Sequence, residues 1–262
     1  MQRRRFYGPP ETMNNARVML SNDETHHLTR VLRLKPGDDA YVFDGCGREY
    51  RCRFLKIESD RAQLEVLDEL LDAVEPPISL TLGQSIAKGE KFDFIVQKAT
   101  ELGVGTIIPL ITDHADVKLA DERSAKRLER WRRISLEALK QCGRRTIVDI
   151  RTPMIVEELL GSEAPRLIGE QAEGRAVVVF AEKGGAPVNN LLAEANGPSA
   201  VTVLIGPEGG WSIDELSLFA ERGVKSVTLG PRTLRTETAA IVAMTLIQHA
   251  LGDVSREFRA KV

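Results

Sequence analysis

Apolar residues in the first part of the chain come in short runs that alternate with polar residues. Turn signals at Pro36-Gly37-Asp38 and Asp44-Gly45 separate these runs. The pattern predicts four strands, at ARVML, DAYVFDG, EYRCRFLKI and RAQLEVLDE. We therefore expect a small β-rich domain over residues 1–74.

A helical pattern interrupts these strands at SNDETHHLTRVLRL. Leu28, Val31 and Leu32 recur at the spacing of one helix face, and Arg30 and Arg33 point elsewhere. The small domain is therefore expected to pack one short helix against its strands.

A different pattern begins after DAVEPPI, where Pro76-Pro77 disfavours both helix and central strand and predicts a linker. Apolar strands now alternate with helices. The strands are ISLTLGQ, TIIPLIT, AVVVFAE, VTVLIG and VKSVTLG, and the helices are GEKFDFIVQKATELG, residues 121–142, SIDELSLFAERG and TETAAIVAMTLIQHALG. Such alternation predicts a parallel sheet covered on both faces, here in a second domain over residues 75–262. Ligands of parallel sheets bind at the carboxyl ends of the strands.

Two glycine-containing loops occupy such strand ends. The first, GPEGG, follows the strand VTVLI, and Ser212 with Glu215 forms a capping-box pattern for the next helix. The loop matches neither GxGxxG nor GxxxxGK[ST], so it is a poor cradle for dinucleotides or triphosphates.

The second loop, LGPRTLRTE, follows the next strand along the chain. Gly230 ends the strand, Thr236 is expected at the N-cap, and Glu237 falls in the first helical turn, where the helix dipole favours an anion. Arg232 and Arg235 lie in the connection, either as ligand contacts or as surface ion-pair partners. We expect the two loops to be adjacent and to surround a ligand. The helix that follows is apolar nearly all round, so it lies deep in the domain or packs against a second subunit.

Composition excludes several classes of protein. The chain is 42% hydrophobic and 28% charged, which is typical of globular proteins. It has neither an apolar run of about 20 residues nor an apolar segment after its basic N-terminus, so we expect a cytoplasmic protein without membrane contact. The cysteines lack CxxC spacing and the histidines lack metal-ligand spacing, so we expect no metal.

Charge is unevenly distributed although the formal net charge is only -2. Residues 123–145 carry nine Lys or Arg against two Glu, and Arg3-Arg4-Arg5 precedes the aromatic residues Phe6 and Tyr7. Basic clusters with aromatic neighbours suit phosphate contact and base stacking. A solvated helix face and a frayed terminus explain the charge equally well.

Taken together, these motifs resemble the ribosomal RNA small subunit methyltransferase E family. The resemblance rests on LIGPEGGWSIDELSLFAERGVKSVTLGPRTLRTETAA, KGEKFDFIVQKATELGV, HHLTRVLRL and FDGCGREY, and it extends from about residue 5 to residue 250. It implies a PUA-like β-barrel domain for RNA, followed by a SPOUT-type α/β domain whose parallel sheet carries a C-terminal trefoil knot. It also implies a homodimer through the C-terminal domain. Physical reasoning alone would reject a knot, because true knots are essentially absent from folds.

The implied activity is S-adenosylmethionine-dependent methylation of N3 of a uridine in the decoding region of 16S rRNA of the small ribosomal subunit. Cofactor contacts are then expected from Leu204, Ile205, Gly206, Leu229, Gly230 and Leu234. Contacts to RNA are expected from Arg3, Arg4, Arg5, His27, Arg30, Arg33 and Arg144. The alternatives are a SPOUT methyltransferase of tRNA or another rRNA site, a non-catalytic RNA-binding assembly factor, and an unrelated nucleotide-binding α/β protein.

Methylation of uracil N3 requires loss of its proton, which spreads negative charge onto O2 and O4. A guanidinium is always cationic and stabilises such charge, so Arg235 is the expected catalytic group, with Arg232 holding phosphate or the loop. Glu237 or Glu208 accepts the proton or anchors an arginine, and anchoring is favoured.

The chain departs from many relatives at three places in these motifs. Asp113-His114-Ala115 stands where an Arg-Ser pair is common, Trp211 stands where Phe is frequent, and Cys142 stands where Ser is frequent. These departures put residue-level roles in the loop 112–118 in doubt and leave the two strand-end loops intact.

Overall fold

The structure is a computed structural model that describes residues 3–14, 16–71, 75–115, 121–161, 174–182, 184–188 and 198–254. Contacts divide the chain into two compact units. The first unit contains Met1–Glu75 and Leu136–Ile147, and the second contains Pro76–Ser135 and Val148–Phe258.

The first unit is built on a six-stranded sheet. Its strands are β1 (Arg5–Tyr7), β2 (Met13–Asn14), β3 (Arg17–Met19), β4 (Asp39–Phe43), β5 (Glu49–Glu58) and β6 (Arg61–Glu69). They follow the order β1-β4-β5-β6-β3-β2, with β1 parallel to β4 and the remaining pairs antiparallel. The four predicted strands are present. Strands β1 and β2 were not predicted.

The predicted helix of this unit consists of α1 (Asn22–His26) and a π-helical turn, His27–Val31. Leu28 is buried and Leu32 packs against the core, as expected, but Val31 is 59% exposed. The prediction that Val31 shares their face was wrong. The backbone N–H of Leu32 donates to the carbonyl of His27, five residues back, and this wider turn rotates side chains away from α-helical positions.

Arg5 is buried in the first unit by charge pairing. Its Nε donates to Glu49 Oε1 at 2.5 Å, and its Nη atoms donate to the carbonyls of Leu139 and Arg144 at 2.5 and 2.9 Å. Arg145 Nε donates to the other oxygen of Glu49 at 3.2 Å. Because buried charges need partners, Glu49 orders both arginines.

Glu75, just before the two prolines, joins this cluster. It accepts from Arg144 Nε at 2.9 Å and from the backbone N–H groups of Arg145 and Thr146 at 2.7 and 2.9 Å. These bonds explain why Leu136–Ile147 belongs to the first unit although it lies far along the chain.

The second unit is built on an eight-stranded sheet. Its strands are β7 (Ser79–Ser85), β8 (Thr106–Ile111), β9 (Asp149–Ile150), β10 (Met154–Ile155), β11 (Arg175–Phe180), β12 (Ala186–Pro187), β13 (Ala200–Ile205) and β14 (Lys225–Thr228). The order is β10-β8-β7-β13-β11-β14-β12, with β9 on β8, and every described pair is parallel. The prediction of a parallel α/β sheet is confirmed.

Helices of the second unit cover both faces of this sheet. They are α2 (Lys91–Glu101), α3 (Asp121–Cys142, whose end joins the first unit), α4 (Val156–Gly161), α5 (Ile213–Glu221) and α6 (Thr236–Leu251). On β13, Val203 and Ile205 enter the cluster that contains α2 and α6 residues, whereas Leu204 enters the cluster that contains α4 and α5 residues. Neighbouring residues of a strand face opposite ways, so the two clusters lie on opposite faces.

One glycine shows how closely the central strands pack. A Cβ on Gly83 of β7 would lie 2.5 Å from Cδ2 of Leu204 on β13. A side chain there would require the buried Leu204 side chain to move, so glycine suits this position.

Candidate active site

The two glycine-containing loops do not follow neighbouring strands. Strand β11 lies between β13 and β14 and pairs with both. The two loops therefore do not follow adjacent strands, although a hydrogen bond between Thr236 and Gly206 joins them. Chain order does not specify strand order in a sheet whose connections cross over.

A groove opens at the carboxyl ends of β11 and β14, against the start of α6. Its lining is largely small or apolar: Phe180, Ala181, Glu182, Thr228, Leu229, Gly230, Arg232, Leu234 and Ala239. Phe180, Ala181 and Glu182 were missed from the sequence. The strand AVVVFAE was predicted, but its pairing with β14 was not. This pairing brings the carboxyl end of the strand to the groove.

Three of the expected cofactor residues line this groove, namely Leu229, Gly230 and Leu234. Gly230 has φ of +104°, a conformation that glycine adopts without strain. Leu204 and Ile205 do not line the groove, because their side chains are 0% and 2% exposed within the core. They approach this end of the sheet only through their backbone.

Gly206 is joined to α6 through a buried polar chain. Thr236 Oγ1 donates to the Gly206 carbonyl at 2.8 Å and accepts from Gln84 Nε2 at 2.9 Å. Gln84, at the carboxyl end of β7, is fully buried and also donates to the Ser85 carbonyl at 3.0 Å. These hydrogen bonds connect β7, the GPEGG loop and the first turn of α6.

The same bonds correct the prediction for the start of α6. Arg235, with φ of -63° and ψ of 150°, is the N-cap residue, and its side chain makes no capping bond. Thr236 is the first helical residue, because its hydroxyl serves Gly206 and Gln84 rather than the helix N-terminus. Glu237 lies in the first turn as predicted, and its Oε2 is buried without a hydrogen-bond partner among the described residues.

The expected catalytic arginines are both exposed. Arg232 lines the groove, whereas Arg235 begins α6. Neither forms an ion pair with any residue that the structure describes. Glu208 instead pairs with Lys91 at the start of α2, so it anchors a lysine and not an arginine.

Two of the chain's departures, at Trp211 and at Asp113-His114, contact the GPEGG loop or the nearby Ser212. Trp211 is 8% exposed, and its Nε1 donates to the Phe180 carbonyl at 3.0 Å. The indole also lies 3.0 Å from the Cβ that a residue at Gly206 would carry. Asp113 Oδ2 accepts from Ser212 Oγ at 2.6 Å, and His114 Nδ1 lies 3.1 Å from the Gly210 carbonyl. In this chain Asp113 and His114 therefore support the loop.

Sequence comparison decides the family. The RNA methyltransferase domain family matches residues 74–248, and the RNA methyltransferase PUA domain family matches residues 20–67. The ribosomal RNA small subunit methyltransferase E of Buchnera aphidicola subsp. Schizaphis graminum is 32% identical over 92% of this chain and 94% of that protein. The chain belongs to the ribosomal RNA small subunit methyltransferase E family.

Solved structures agree with this membership. The family member from Neisseria gonorrhoeae, bound to S-adenosyl methionine, is 33% identical, with a TM-score of 0.83 over 96% of this chain and 99% of that one. A methyltransferase of Legionella pneumophila, solved with the bound cofactor SAM, is 31% identical, with a TM-score of 0.85 over 97% of this chain and 100% of that one. The family resemblance and the prediction of an RNA methyltransferase are confirmed.

In this member of the methyltransferase E family, the residues expected to contact RNA differ in exposure. Four are exposed, namely Arg3, Arg4, Arg30 and Arg33. Arg5 and Arg144 are only 7% and 4% exposed, and internal acceptors bind their guanidinium groups. Both are therefore withdrawn as RNA contacts. His27 is half-buried, with its ring edge-on to Phe6 at 5.9 Å between centroids.

Two further sequence expectations concern metals and membranes. Within the described ranges, no group of three or more His, Cys, Asp or Glu side chains has the arrangement of a metal site. A search of the same residues finds no helix long and apolar enough to cross a membrane.

Proposed function

We propose that this protein is an S-adenosylmethionine-dependent methyltransferase that methylates N3 of one uridine in the decoding region of 16S rRNA. The supporting observation is family membership over about nine-tenths of the chain, together with a groove at the strand ends where ligands of parallel sheets bind. The related structures with this cofactor support the same choice.

The groove suits an adenine-containing cofactor. Small and apolar residues at Ala181, Leu229 and Gly230 leave backbone amides and carbonyls accessible, and these groups recognise a base edge without charge. Leu234 adds apolar surface to the groove. When bound, S-adenosylmethionine supplies an electrophilic methyl group on its sulfonium.

Residues of this protein then stabilise the negative charge of the deprotonated target base and accept its proton. Arg235 donates to O2 or O4 of the N3-deprotonated uracil, since its guanidinium has no ion-pair partner among the described residues and stands at the start of α6. Arg232, in the groove, holds phosphate or the loop. Glu208 is committed to Lys91, which leaves Glu237, with its unpartnered Oε2, as the better carboxylate to receive the N3 proton.

The remaining family features belong to the same proposal. The bond from Thr236 to Gly206 holds the connection after β14 against the loop after β13, which supports a trefoil knot of the SPOUT type. Half-buried Ile241, Val242 and Leu246 on α6 favour a homodimer through the C-terminal unit. The first unit is the PUA-like RNA-binding barrel, and the protein works in the cytoplasm.

Nucleoside analysis tests the proposed reaction. Deleting the gene from its host should remove 3-methyluridine from 16S rRNA, and expressing the intact chain should restore it. Loss of a methylated nucleoside from tRNA instead would support the alternative RNA target. An unchanged nucleoside profile, with no S-adenosylmethionine binding by calorimetry, would support the non-catalytic assembly factor.

Replacement of Arg235 tests the proposed chemistry. Arg235→Lys should lower turnover by roughly 100-fold while cofactor affinity stays at the wild-type value, because a lysine cannot reproduce the paired donors of a guanidinium. Arg222→Lys is the matched control, since Arg222 lies at the end of α5 and bonds the Leu160 carbonyl. Equal turnover in Arg235→Lys and Arg222→Lys would contradict the role of Arg235.

A further inference from the structure

The outer face of the small sheet collects polar side chains at one edge. In the pairing of β3 with β6, Val18 opposes Leu64, and both are fully buried in the core. Met19, which opposes Gln63, and Arg17 therefore face the other side, because side chains alternate along a strand. These outward residues lie together although they are far apart in sequence.

Strand β2 extends this arrangement to the edge of the sheet. Asn14 opposes Arg17 in the antiparallel pair with β3, so it shares the outer face. Thr12 precedes the strand, and its hydroxyl is already occupied by the Pro9 carbonyl at 2.7 Å. The amides of Asn14 and Gln63 and the guanidinium of Arg17 are the polar groups left to meet a ligand.

A pocket of about 470 Å³ opens at this place, lined by Thr12, Asn14, Arg17, Val18, Met19 and Gln63. Pockets that hold small ligands measure roughly 300–1,000 Å³, so the volume suffices for one nucleotide. Every described lining residue belongs to the first unit. It shares no residue with the groove at the ends of β11 and β14.

Gln63 and Arg17 of the pocket have polar groups without partners among the described residues. Gln63 Oε1 is buried without a hydrogen-bond partner among the described residues, and an unpaired buried acceptor costs about 1–3 kcal/mol. Arg17 is exposed, and no described carboxylate pairs with it, although Glu65 lies opposite on β6. Because a side-chain amide carries both an acceptor and a donor, turning Gln63 presents either to a ligand.

This combination matches the chemistry of an unpaired nucleotide. Amide side chains bond the donor and acceptor edge of a base, a thioether gives its face an apolar contact, and a guanidinium binds phosphate or stacks on the base. A free phosphate would leave the amides and Met19 unused, and an apolar ligand would leave Arg17 and Gln63 unpaired.

We propose that the pocket formed by Asn14, Arg17, Met19 and Gln63 binds one unpaired nucleotide of the RNA substrate, away from the methylated base. Gln63 and Asn14 bind the base edge, and Arg17 binds the phosphate. This inference rests on the proposed RNA substrate. It explains how the small unit selects single-stranded RNA at a defined place, and not only by its net charge.

Binding measurements with the intact chain test the pocket. The probes are a short fluorescein-labelled single-stranded RNA and a blunt duplex of the same composition, and the readout is fluorescence anisotropy. Gln63→Leu should weaken single-strand binding about tenfold and leave duplex binding unchanged, because the amide contacts a base edge. Arg17→Gln should weaken binding and reduce the slope of log K against log salt by roughly 0.7, the value for one phosphate contact on a single strand.

Controls separate the pocket from general charge and from folding. Lys35→Gln removes an exposed positive charge in a turn of the same unit and should keep nearly the wild-type affinity and salt slope. Thermal unfolding by circular dichroism checks each variant. If Gln63→Leu fails to fold, Gln63→Glu keeps the size of the side chain but lacks the amide donor, so it should still weaken single-strand binding more than duplex binding.

The outcomes for the pocket and for the proposed function are distinguishable. Wild-type single-strand affinity in folded Gln63→Leu or Gln63→Glu overturns the pocket, whatever the methylation result. Equal loss on the single strand and the duplex also overturns it, because base recognition is then absent. Pocket-dependent binding without 3-methyluridine in 16S rRNA supports the pocket and contradicts only the proposed reaction.

Discussion

Thr236 shows how one hydroxyl can join three elements. Its side chain belongs to a residue only 4% exposed, and it pairs with the Gly206 carbonyl and with Gln84 Nε2. The sequence predicts Thr236 as the N-cap residue, because a threonine before a helix usually caps its N-terminus. The tertiary partners take precedence, since the Gly206 carbonyl and the second donor of Gln84 Nε2 would otherwise lose this hydrogen bond.

Replacement of Thr236 by valine should therefore destabilise the second unit. Valine keeps the shape but leaves the Gly206 carbonyl and Gln84 Nε2 without this partner, so we expect a loss of about 1–3 kcal/mol in the free energy of unfolding. Thr236→Ser keeps the hydroxyl and should lose less. Urea unfolding of the full-length protein measures both variants. Equal stability of the valine and serine variants would contradict a stabilising role of these hydrogen bonds.

The N-terminal cap of helix α5 was predicted correctly from the local sequence. Ser212 and Glu215 form the predicted capping box: Ser212 Oγ accepts from Glu215 N, and Glu215 Oε2 accepts from Ser212 N. Asp113 adds a contact that the local pattern did not contain, through its carboxylate to Ser212 Oγ and its N–H to Glu215 Oε1. The cap therefore also positions the loop after β8.

A substitution of Ser212 separates its capping of α5 from its contact with Asp113. Aspartate is as good an N-cap as serine in an isolated helix, whereas alanine costs about 1 kcal/mol. At Ser212, aspartate would meet the carboxylate of Asp113, so Ser212→Asp should be destabilised as well. Asp113→Asn in the same chain should restore stability. Chemical unfolding of the single and double variants gives the coupling, and an additive result would exclude the contact.

At the scale of the whole molecule, the distribution of charge matters more than its sum. The chain is nearly neutral, yet the first unit buries Arg5, Arg144 and Arg145 together with Glu49, the carboxylate partner of Arg5 and Arg145. A second buried pair joins Lys140 to Glu24 at 2.5 Å. Burial raises the pKa of Glu24 despite the opposing effect of Lys140, and Glu24 Oε2 has no partner in the described part of the chain.

This pKa shift predicts a pH dependence of stability. Since the folded protein binds the Glu24 proton more tightly than the unfolded chain, the contribution of this group is complete below its unfolded pKa of 4.5 and is lost as pH rises through the folded pKa. Burial lowers the pKa of Lys140, but Glu24 and Glu137 outweigh it and leave the pKa raised above 10.5, so Lys140 stays charged in this window.

Glu24→Gln removes this titration and leaves Lys140 paired with Glu137. The free energy of unfolding of the wild type should fall relative to the variant as pH increases above 4.5. Urea unfolding at a series of pH values measures the difference. A difference that stays constant, or that changes in favour of the wild type, would contradict the raised pKa.

Much of the architecture follows from local patterns. The four strands of the small sheet, the parallel α/β arrangement, the basic helix over residues 121–142 and the cap of α5 were all predicted, because apolar period, turn residues and capping residues act within a few positions of the chain. Five of the described strands, each of two or three residues, and the six-residue helix α4 were not predicted. The π-helical turn was not predicted, because a five-residue stretch of sequence does not distinguish α-helical from π-helical backbone bonds.

The sequence by itself determined the family, the kind of sheet and which loops carry glycine and arginine, because those properties reside in local order and in motif identity. Only the tertiary structure placed β11 between β13 and β14, buried Arg5 and Arg144, paired Glu208 with Lys91 and gave the Thr236 hydroxyl to Gly206. Each of these joins residues far apart in the chain. Strand order and the choice of a buried polar partner depend on which distant groups arrive at the same place, and no pattern along the chain records that.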